Sequence, residues 1–266
     1  MSVALACTWR PRGEMPRFEQ AYPHLKQVYA DLIIAVPGEI DPADLDAVQA
    51  VTGNTHARVA VSPDRTGARY LALQTTLDTS ADFVHYVDMD RLLRWLETRP
   101  DELRHTVESV QTCDCLIIGR TEAAFQTHPQ ALQKTESIVN EVFSFLFGRR
   151  VDVCSGSKGF SRRAVELIVA HSKPGHWSDA EWPMLAQRAG LNLDAIFVDG
   201  LDWETADHFQ AQAANAEAQR RLAEEHDRDA EHWAFRAQAA LDIVREGLAA
   251  TKQSQASQET ASLRSQ

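Results

Sequence analysis

The sequence predicts an α/β protein: a mostly parallel sheet flanked by helices, with a helical extension at the C-terminal end. Three observations carry that prediction. Apolar runs of strand length alternate with segments of helical period through roughly the first 90 residues. The connections between them are short, and such alternation builds parallel strands joined by right-handed crossovers. From about His208 the composition shifts to Ala, Glu, Gln and Arg, with no Gly or Pro before Gly247, the pattern of one long helix or a helical hairpin.

The elements follow in order. Val3-Ala4-Leu5-Ala6-Cys7 reads as a first strand, broken by Arg10-Pro11-Arg12-Gly13. Residues 16–29 place Phe18, Tyr22, Leu25 and Val28/Tyr29 on one helical face. Asp31 to Val36 is a second buried strand, stopped by Pro37-Gly38, and Asp41 with Pro42 marks a helix start. Arg58 to Val61 is a third strand, ending at Ser62-Pro63-Asp64, and Gly67 to Leu77 is the helix after it. Phe83 to Val87 is the fourth strand.

Beyond it, residues 100–110 read as helix and Cys113 to Gly119 as strand. Thr135 to Phe147 is an amphipathic helix. Val151-Asp152-Val153-Cys154 reads as a short strand before a small-residue turn, Ser155-Gly156-Ser157-Lys158-Gly159. Ser161 caps a helix through Ala170, residues 179–189 form another, and Leu193 to Val198 is the last strand. The extension carries a thin apolar seam of Leu222, Trp233, Ala237, Leu241, Val244 and Leu248, suited to packing on the domain or on a second copy. The reading divides the chain into a domain over 1–207 (halves at about 1–98 and 99–207), a helical extension over 208–250 and a disordered tail over 251–266.

Composition narrows the function classes. The 266 residues suit one α/β domain with an appendage. A net charge of −11 argues against nucleic acid as a partner, because that binding relies on basic patches. Cys7, Cys113, Cys115 and Cys154 lack the paired spacing of a zinc site and read as reduced, buried thiols, which points to a cytoplasmic location. The apolar start is too short for a signal segment, and no stretch approaches the ~20 apolar residues of a membrane span.

Asp88-Met89-Asp90 is the most informative segment. It ends the fourth strand and leads into a helix, so two carboxylates lie at the carboxyl end of a buried strand, where open α/β sheets bind ligands. Acidic residues are poor strand formers and costly to bury unpaired. A hard divalent cation such as Mg²⁺ would justify them, since it takes carboxylate oxygens together with substrate phosphates. The bland alternative is a strand end whose aspartates are solvated or cap the next helix.

A fourth-strand D-x-D in an N-terminal α/β half, with a different second half, resembles the glycosyltransferase-A fold, a Rossmann-like architecture whose enzymes use nucleotide-diphosphate sugars. The resemblance covers roughly residues 3–205, and its general look is closest to the family-2-like, dolichyl-phosphate-mannose-synthase-like group. A second point of resemblance is Ser178-Asp179-Ala180-Glu181-Trp182, acidic residues at the start of a Gly-terminated helix. The segment after the first strand, Thr8-Trp9-Arg10-Pro11-Arg12, differs from the Pro-x-x-Asn-Glu type usual in that group.

The resemblance implies Mn²⁺ or Mg²⁺ held by Asp88 and Asp90, with Asp90 as the direct ligand and a further ligand from the C-terminal half, His208 first and His176 behind it. It implies a nucleotide-diphosphate-sugar donor lying against Thr8, Trp9, Arg10, Asp64, Arg69 and Asp88. There Trp9 would stack on the base, and Arg10 would meet phosphate; Arg12 and Arg65 are further candidates. Asp179 and Glu181 are the candidate catalytic carboxylates, since an inverting transfer needs a base for the acceptor proton. The same two acids also suit an ordinary helix N-terminus, and the arginines suit a solvated surface. Arg120, ending the fifth strand, is expected to face the same cleft.

The reading is therefore a metal-dependent glycosyltransferase acting on an unknown acceptor. A nucleotidyltransferase of related fold would show a Gly-rich, basic loop after the first strand, where only Gly13 occurs. A haloacid-dehalogenase-type phosphatase would carry its D-x-D on the first core strand. A non-catalytic assembly module on a degenerate transferase domain is the remaining alternative, and a homo-oligomer through the C-terminal helix is compatible with each.

Overall fold

The chain is described by a computed structural model over residues 1–63, 67–175, 177–204 and 212–264, without the side chains of 54, 55 and 251–264. Seven strands form one sheet: β1 (Val3–Thr8), β2 (Asp31–Pro37), β3 (Ala57–Ser62), β4 (Phe83–Val87), β5 (Cys115–Arg120), β6 (Ser157–Ser161) and β7 (Leu193–Val198). Their spatial order is β3-β2-β1-β4-β6-β5-β7. All pairings are parallel except those of β6, which runs antiparallel between β4 and β5.

The helices are α1 (Met15–Val28), α2 (Pro42–His56), α3 (Ala68–Thr75), α4 (Met89–Thr98), α5 (Pro100–Ser109), α6 (Glu122–Gln126), α7 (Gln130–Phe147), α8 (Arg162–His171), α9 (Ser178–Arg188), α10 (Ala216–Asp227) and α11 (Ala230–Arg264). Two starts match their sequence signals. Asp41 accepts from the Ala43 N–H with Pro42 in the first turn, and Ser161 accepts from the Ala164 N–H.

Strand alternation sorts the core into layers. Leu5, Cys7, Leu32, Ile34 and Val36 point to one face and meet Phe18 and Leu25 of α1 and Leu92 and Trp95 of α4. Ala6 and Ala35 point to the other, beneath Ala68 and Ala72 of α3 and beside Phe160 and Trp182. A third cluster joins Val139 and Phe143 of α7, Met184 and Leu185 of α9, and Ile243 of α11.

Three expectations differ from the structure. The strand expected at 151–154 is absent: Val153–Ser155 forms a 3₁₀ turn, and the Asp152 carboxylate is committed to the Arg120 side chain and backbone N–H. The neighbouring Ser155–Gly159 turn is instead largely the central strand β6. Ser, Lys and Gly are poor strand formers, yet the site is buried on both faces, and a Cβ at Gly159 would lie 2.7 Å from a Val110 methyl. The extension, expected as one long helix or a helical hairpin, is two helices broken at Arg228-Asp229, where Asp229 accepts from the Glu231 N–H. The backbone of α11 continues as helix through 251–264, which composition assigned to a disordered tail; the segment carries no Gly or Pro.

The seam also differs. Leu222 is buried and Val244 partly buried, but Leu241 and Leu248 face outward with Phe235. The side of α11 against α7 and α9 is made by Ala240, Ile243, Val244 and Ala250, with the alanines allowing close approach. Among the described residues no helix is long and apolar enough to cross a membrane.

Candidate functional site

Strand order creates the site. The chain lays β2 and β3 to one side of β1, then places β4 on the other side. In doubly wound sheets the ligand crevice lies outside the carboxyl ends of the strands where the winding reverses, here between β1 and β4. Thr8 ends β1 and Asp88 follows β4, so both lie at its mouth.

Asp88 occupies the N-cap position of α4 with extended backbone, but its carboxylate makes no capping hydrogen bond. It turns into a polar cluster instead. Oδ1 accepts from the Tyr86 hydroxyl at 2.7 Å and from the Thr8 hydroxyl at 3.1 Å. Oδ2 accepts from Nη2 of Arg69 at 3.0 Å. The other arm of Arg69, Nη1, donates to Asp179 Oδ2 at 2.8 Å. One guanidinium therefore bridges the strand-end aspartate and the first-turn aspartate of α9. Simple capping explains neither acid, because the N-cap residue of α9 is Trp177 and no side-chain cap bond forms there.

Packing holds this arrangement. Tyr86 meets the buried Trp182 ring edge-on at 5.4 Å, which aims its hydroxyl at Asp88. Gly156, with φ +74°, brings its backbone against the cluster: its carbonyl accepts from the Asp88 N–H, and a Cβ there would lie 2.8 Å from Asp88 Oδ2. Arg91 donates to the Ser155 carbonyl and sits over the same glycine.

The electrostatics divide the aspartate pair. Burial pushes the Asp88 carboxyl up, but Arg69 and Arg91 outweigh it and hold the pKa below the usual range. Asp90 lies half-buried in the first turn of α4. Burial first and repulsion from Asp88 second raise its pKa, against the pull of Arg91 and Arg12. Burial also opposes the Arg69 charge, and Asp179 and Asp88 overcome it, holding the guanidinium well above its ordinary value.

The expected site residues thus part company. Thr8, Arg69, Asp88 and Asp179 converge, and Asp90 stands beside them. Trp9 does not face the crevice; it is 4 % exposed and packs on Phe18 with ring centroids 4.8 Å apart, so base stacking has no ring to use. Arg10, two residues after β1, is exposed, and Arg12 is half-buried. Glu181 points away, accepting from the Ser172 hydroxyl at 2.7 Å; burial, with Glu246 adding to it, raises its pKa. Arg120 is buried, gripping Asp152 through Nε at 2.7 Å and Glu136 through Nη2 at 2.7 Å, and so does not line the crevice. Asp64, Arg65, His176 and His208 lie outside the described residues.

Tyr86 was not singled out by the sequence, and Lys158 was read only as part of the Ser155–Gly159 turn. Tyr86 hid inside an apolar run, although its place two residues before Asp88 on a strand is the available signal. Lys158 is fully buried in β6, pairing opposite Tyr86, and its ammonium donates to the Val153 carbonyl at 3.0 Å. Burial lowers its pKa, Asp179 works against that, and Arg69 adds to it.

Asp88 and Asp90 offer hard oxygen donors, the ligand type a divalent cation takes. Among the described residues no group of three His, Cys, Asp or Glu side chains is gathered to hold one.

No protein family and no curated protein matches the chain by sequence. Solved structures do match in fold. A crystal structure of a mycobacterial protein aligns at 14% identity and TM-score 0.52, covering 74% of this chain; the chain spans 65% of that protein's length. The M. tuberculosis glucosyl-3-phosphoglycerate synthase aligns at 16% identity and TM-score 0.48, over 74% of this chain and 71% of that one. A mannosyltransferase from Pyrobaculum calidifontis, in complex with GDP-Man and Mn²⁺, aligns at 10% identity and TM-score 0.44, over 98% and 80%. At these identities the likeness concerns architecture: a mostly parallel sheet with one antiparallel strand, helices on both faces and a helical extension, a glycosyltransferase-A-like fold.

Proposed function

We propose that this chain is a metal-dependent glycosyltransferase that moves a sugar from a nucleotide-diphosphate sugar to a hydroxyl acceptor. The observation that carries the reading is the Asp88–Arg69–Asp179 bridge at the reversal point of the sheet, with the Thr8 and Tyr86 hydroxyls on its inner side. In such a transfer the acceptor oxygen attacks the anomeric carbon, the bond to the diphosphate oxygen breaks, and the acceptor proton passes to a base.

Each residue has a part. Arg69 supplies a planar double donor to the diphosphate, with Arg10, two residues after β1, as a second cation. Asp179 is the base where the transfer inverts configuration, since it alone of the two α9 acids faces the crevice. Asp90, with Asp88, would hold Mn²⁺ or Mg²⁺. A bound cation supplies Lewis-acid neutralisation of the departing diphosphate. Gly156 lets the backbone approach without a side chain in the way.

The test is thermal stabilisation. A ligand that binds only the native state at 100 times its Kd stabilises by about 2.7 kcal/mol. Nucleoside diphosphates and their sugar conjugates, screened with and without Mn²⁺, are expected to raise the melting temperature of the wild type. Asp90→Ala keeps its own melting temperature and loses the Mn²⁺-dependent part. A melting temperature indifferent to every nucleoside diphosphate and nucleotide sugar, with and without Mn²⁺, removes the reading.

A further inference from the structure

We infer that Arg69 is an exchangeable counter-ion: it locks Asp88 and Asp179 together in the free protein and is drawn off by the incoming diphosphate, which unlocks both carboxylates at once. The inference rests on the proposed donor and goes beyond it, because it makes cation binding conditional on the diphosphate.

The geometry leaves few alternatives for Asp88. Its Oδ1 is filled by two hydroxyls, at 2.7 Å from Tyr86 and 3.1 Å from Thr8. Its Oδ2 is held by Arg69, and that is the oxygen a ligand must take. Asp179 is tied to the same guanidinium through its own Oδ2. Asp88 cannot give Oδ2 to a ligand until Arg69 moves, and Asp179 has one oxygen committed to the same guanidinium.

Arg69 is also the member of the trio that a ligand meets first. Its side chain is 25% exposed, against 16% for Asp88 and 7% for Asp179. It stands in the first turn of α3 rather than in the middle of an element. A diphosphate offers several anionic oxygens to the same fork, so the arginine exchanges one set of charge-assisted bonds for another.

The coupling follows from charge balance. A cation arriving alone must expel Arg69 from its two carboxylates with nothing to receive the guanidinium, which is costly. A diphosphate arriving alone draws Arg69 away and leaves the two aspartates without their shared cation. Arriving together, the diphosphate satisfies Arg69 and the cation satisfies Asp88. Cation and diphosphate therefore bind with positive cooperativity, and the coupling is reciprocal.

The experiment titrates Mn²⁺ alone, inorganic pyrophosphate alone, and each in the presence of the other, by calorimetry on the full chain. The wild type is expected to bind Mn²⁺ at least tenfold more tightly when pyrophosphate is present. Arg69→Gln frees Asp88 and is expected to bind Mn²⁺ alone about tenfold more tightly than wild type, with the cooperativity reduced. Arg69→Lys, whose single ammonium cannot hold both carboxylates as a fork, is expected to fall between them. The lock is overturned if wild type binds the two ligands independently. It is equally overturned if wild type binds them cooperatively and both variants do the same with unchanged affinity for Mn²⁺ alone; the proposed donor would survive either result. A wild type that binds neither pyrophosphate nor any nucleoside diphosphate ends both readings.

Discussion

Replacing Arg120 with methionine separates a structural arginine from a ligand-binding one. The side chain is buried and makes three charged contacts: Nε to Asp152 at 2.7 Å, Nη2 to Asp152 at 2.8 Å and Nη2 to Glu136 at 2.7 Å. The guanidinium also lies 4.7 Å from the Phe125 ring centre. Removing it leaves two buried carboxylates without their shared cation. Breaking a buried ion pair from one side costs about 3–5 kcal/mol. The lower end applies here, because Asp152 keeps the Asn140 amide at 2.8 Å and the backbone N–H of residue 120 at 3.0 Å. A loss of about 3 kcal/mol is a large share of the 5–15 kcal/mol typical of a native protein. By the usual scaling it lowers the melting temperature by roughly 6–12 °C. Urea unfolding at neutral pH reads the change as a shift in midpoint at constant slope. The expected variant is less stable yet binds pyrophosphate as wild type does below its transition. A variant of wild-type stability that has lost pyrophosphate binding would refute the reasoning and return Arg120 to the crevice.

Two further predictions follow from the same contacts. Gly156→Ala must place a side chain at φ +74°, costing about 1–2 kcal/mol, and push on Asp88 Oδ2; melting and Mn²⁺–pyrophosphate titration are both expected to weaken, and a variant unchanged in both contradicts the close approach. His85 is fully buried, with Nδ1 at 2.8 Å from the Tyr29 hydroxyl and Nε2 at 2.9 Å from the Ser157 hydroxyl, and burial lowers its pKa to about 3. The unfolded chain takes that proton near pH 6.5, so between there and about pH 3 it binds more protons than the native state, and stability falls as pH falls, by up to ~1.4 kcal/mol per unit. Urea midpoints measured from pH 7.5 to 4.5 should show this slope in wild type and a shallower one in His85→Gln; equal slopes would show that His85 is protonated in the fold.

How much was legible in the sequence depends on what each residue type announces. The strands β1 and β2 are mostly Val, Leu, Ile and Ala, each ending at or followed within a few residues by Pro and Gly, and hydrophobic periodicity finds them. Strand β6 announces nothing: Ser157, Lys158 and Gly159 look like a turn, and only Val110 and the neighbouring strands explain why a strand passes there. The position of a residue at a strand end was readable, but its direction was not always read. Trp9 follows Thr8, and alternation sends the two to opposite sides, one into core and one toward Asp88. Glu181 is two residues from Asp179 on a helix, and residues so spaced do not share a face, so the pair could not act on one substrate atom. Arg120 ended a strand as expected, but Asp152 and Glu136, distant in sequence, decided where it points.

The small residues under α3 connect this packing to the chemistry. Ala6 and Ala35 on the sheet meet Ala68 and Ala72 on the helix, and all four are buried. Methyl groups on both sides let α3 settle close over β1 and β2, its neighbours in the sheet. That closeness is what brings the first turn of α3 within reach of a strand end, so that one arginine spans from Asp88 to Asp179. Larger side chains at these positions would gain apolar burial and lift the helix, since a packed interior transmits an added methylene as displacement. The bridge depends on bonds of 2.8 and 3.0 Å, and a shift of one ångström would break both. The alanines thus give up hydrophobic stabilisation that leucine or isoleucine would supply. In return, one charge is held within reach of two acids that come from opposite halves of the chain.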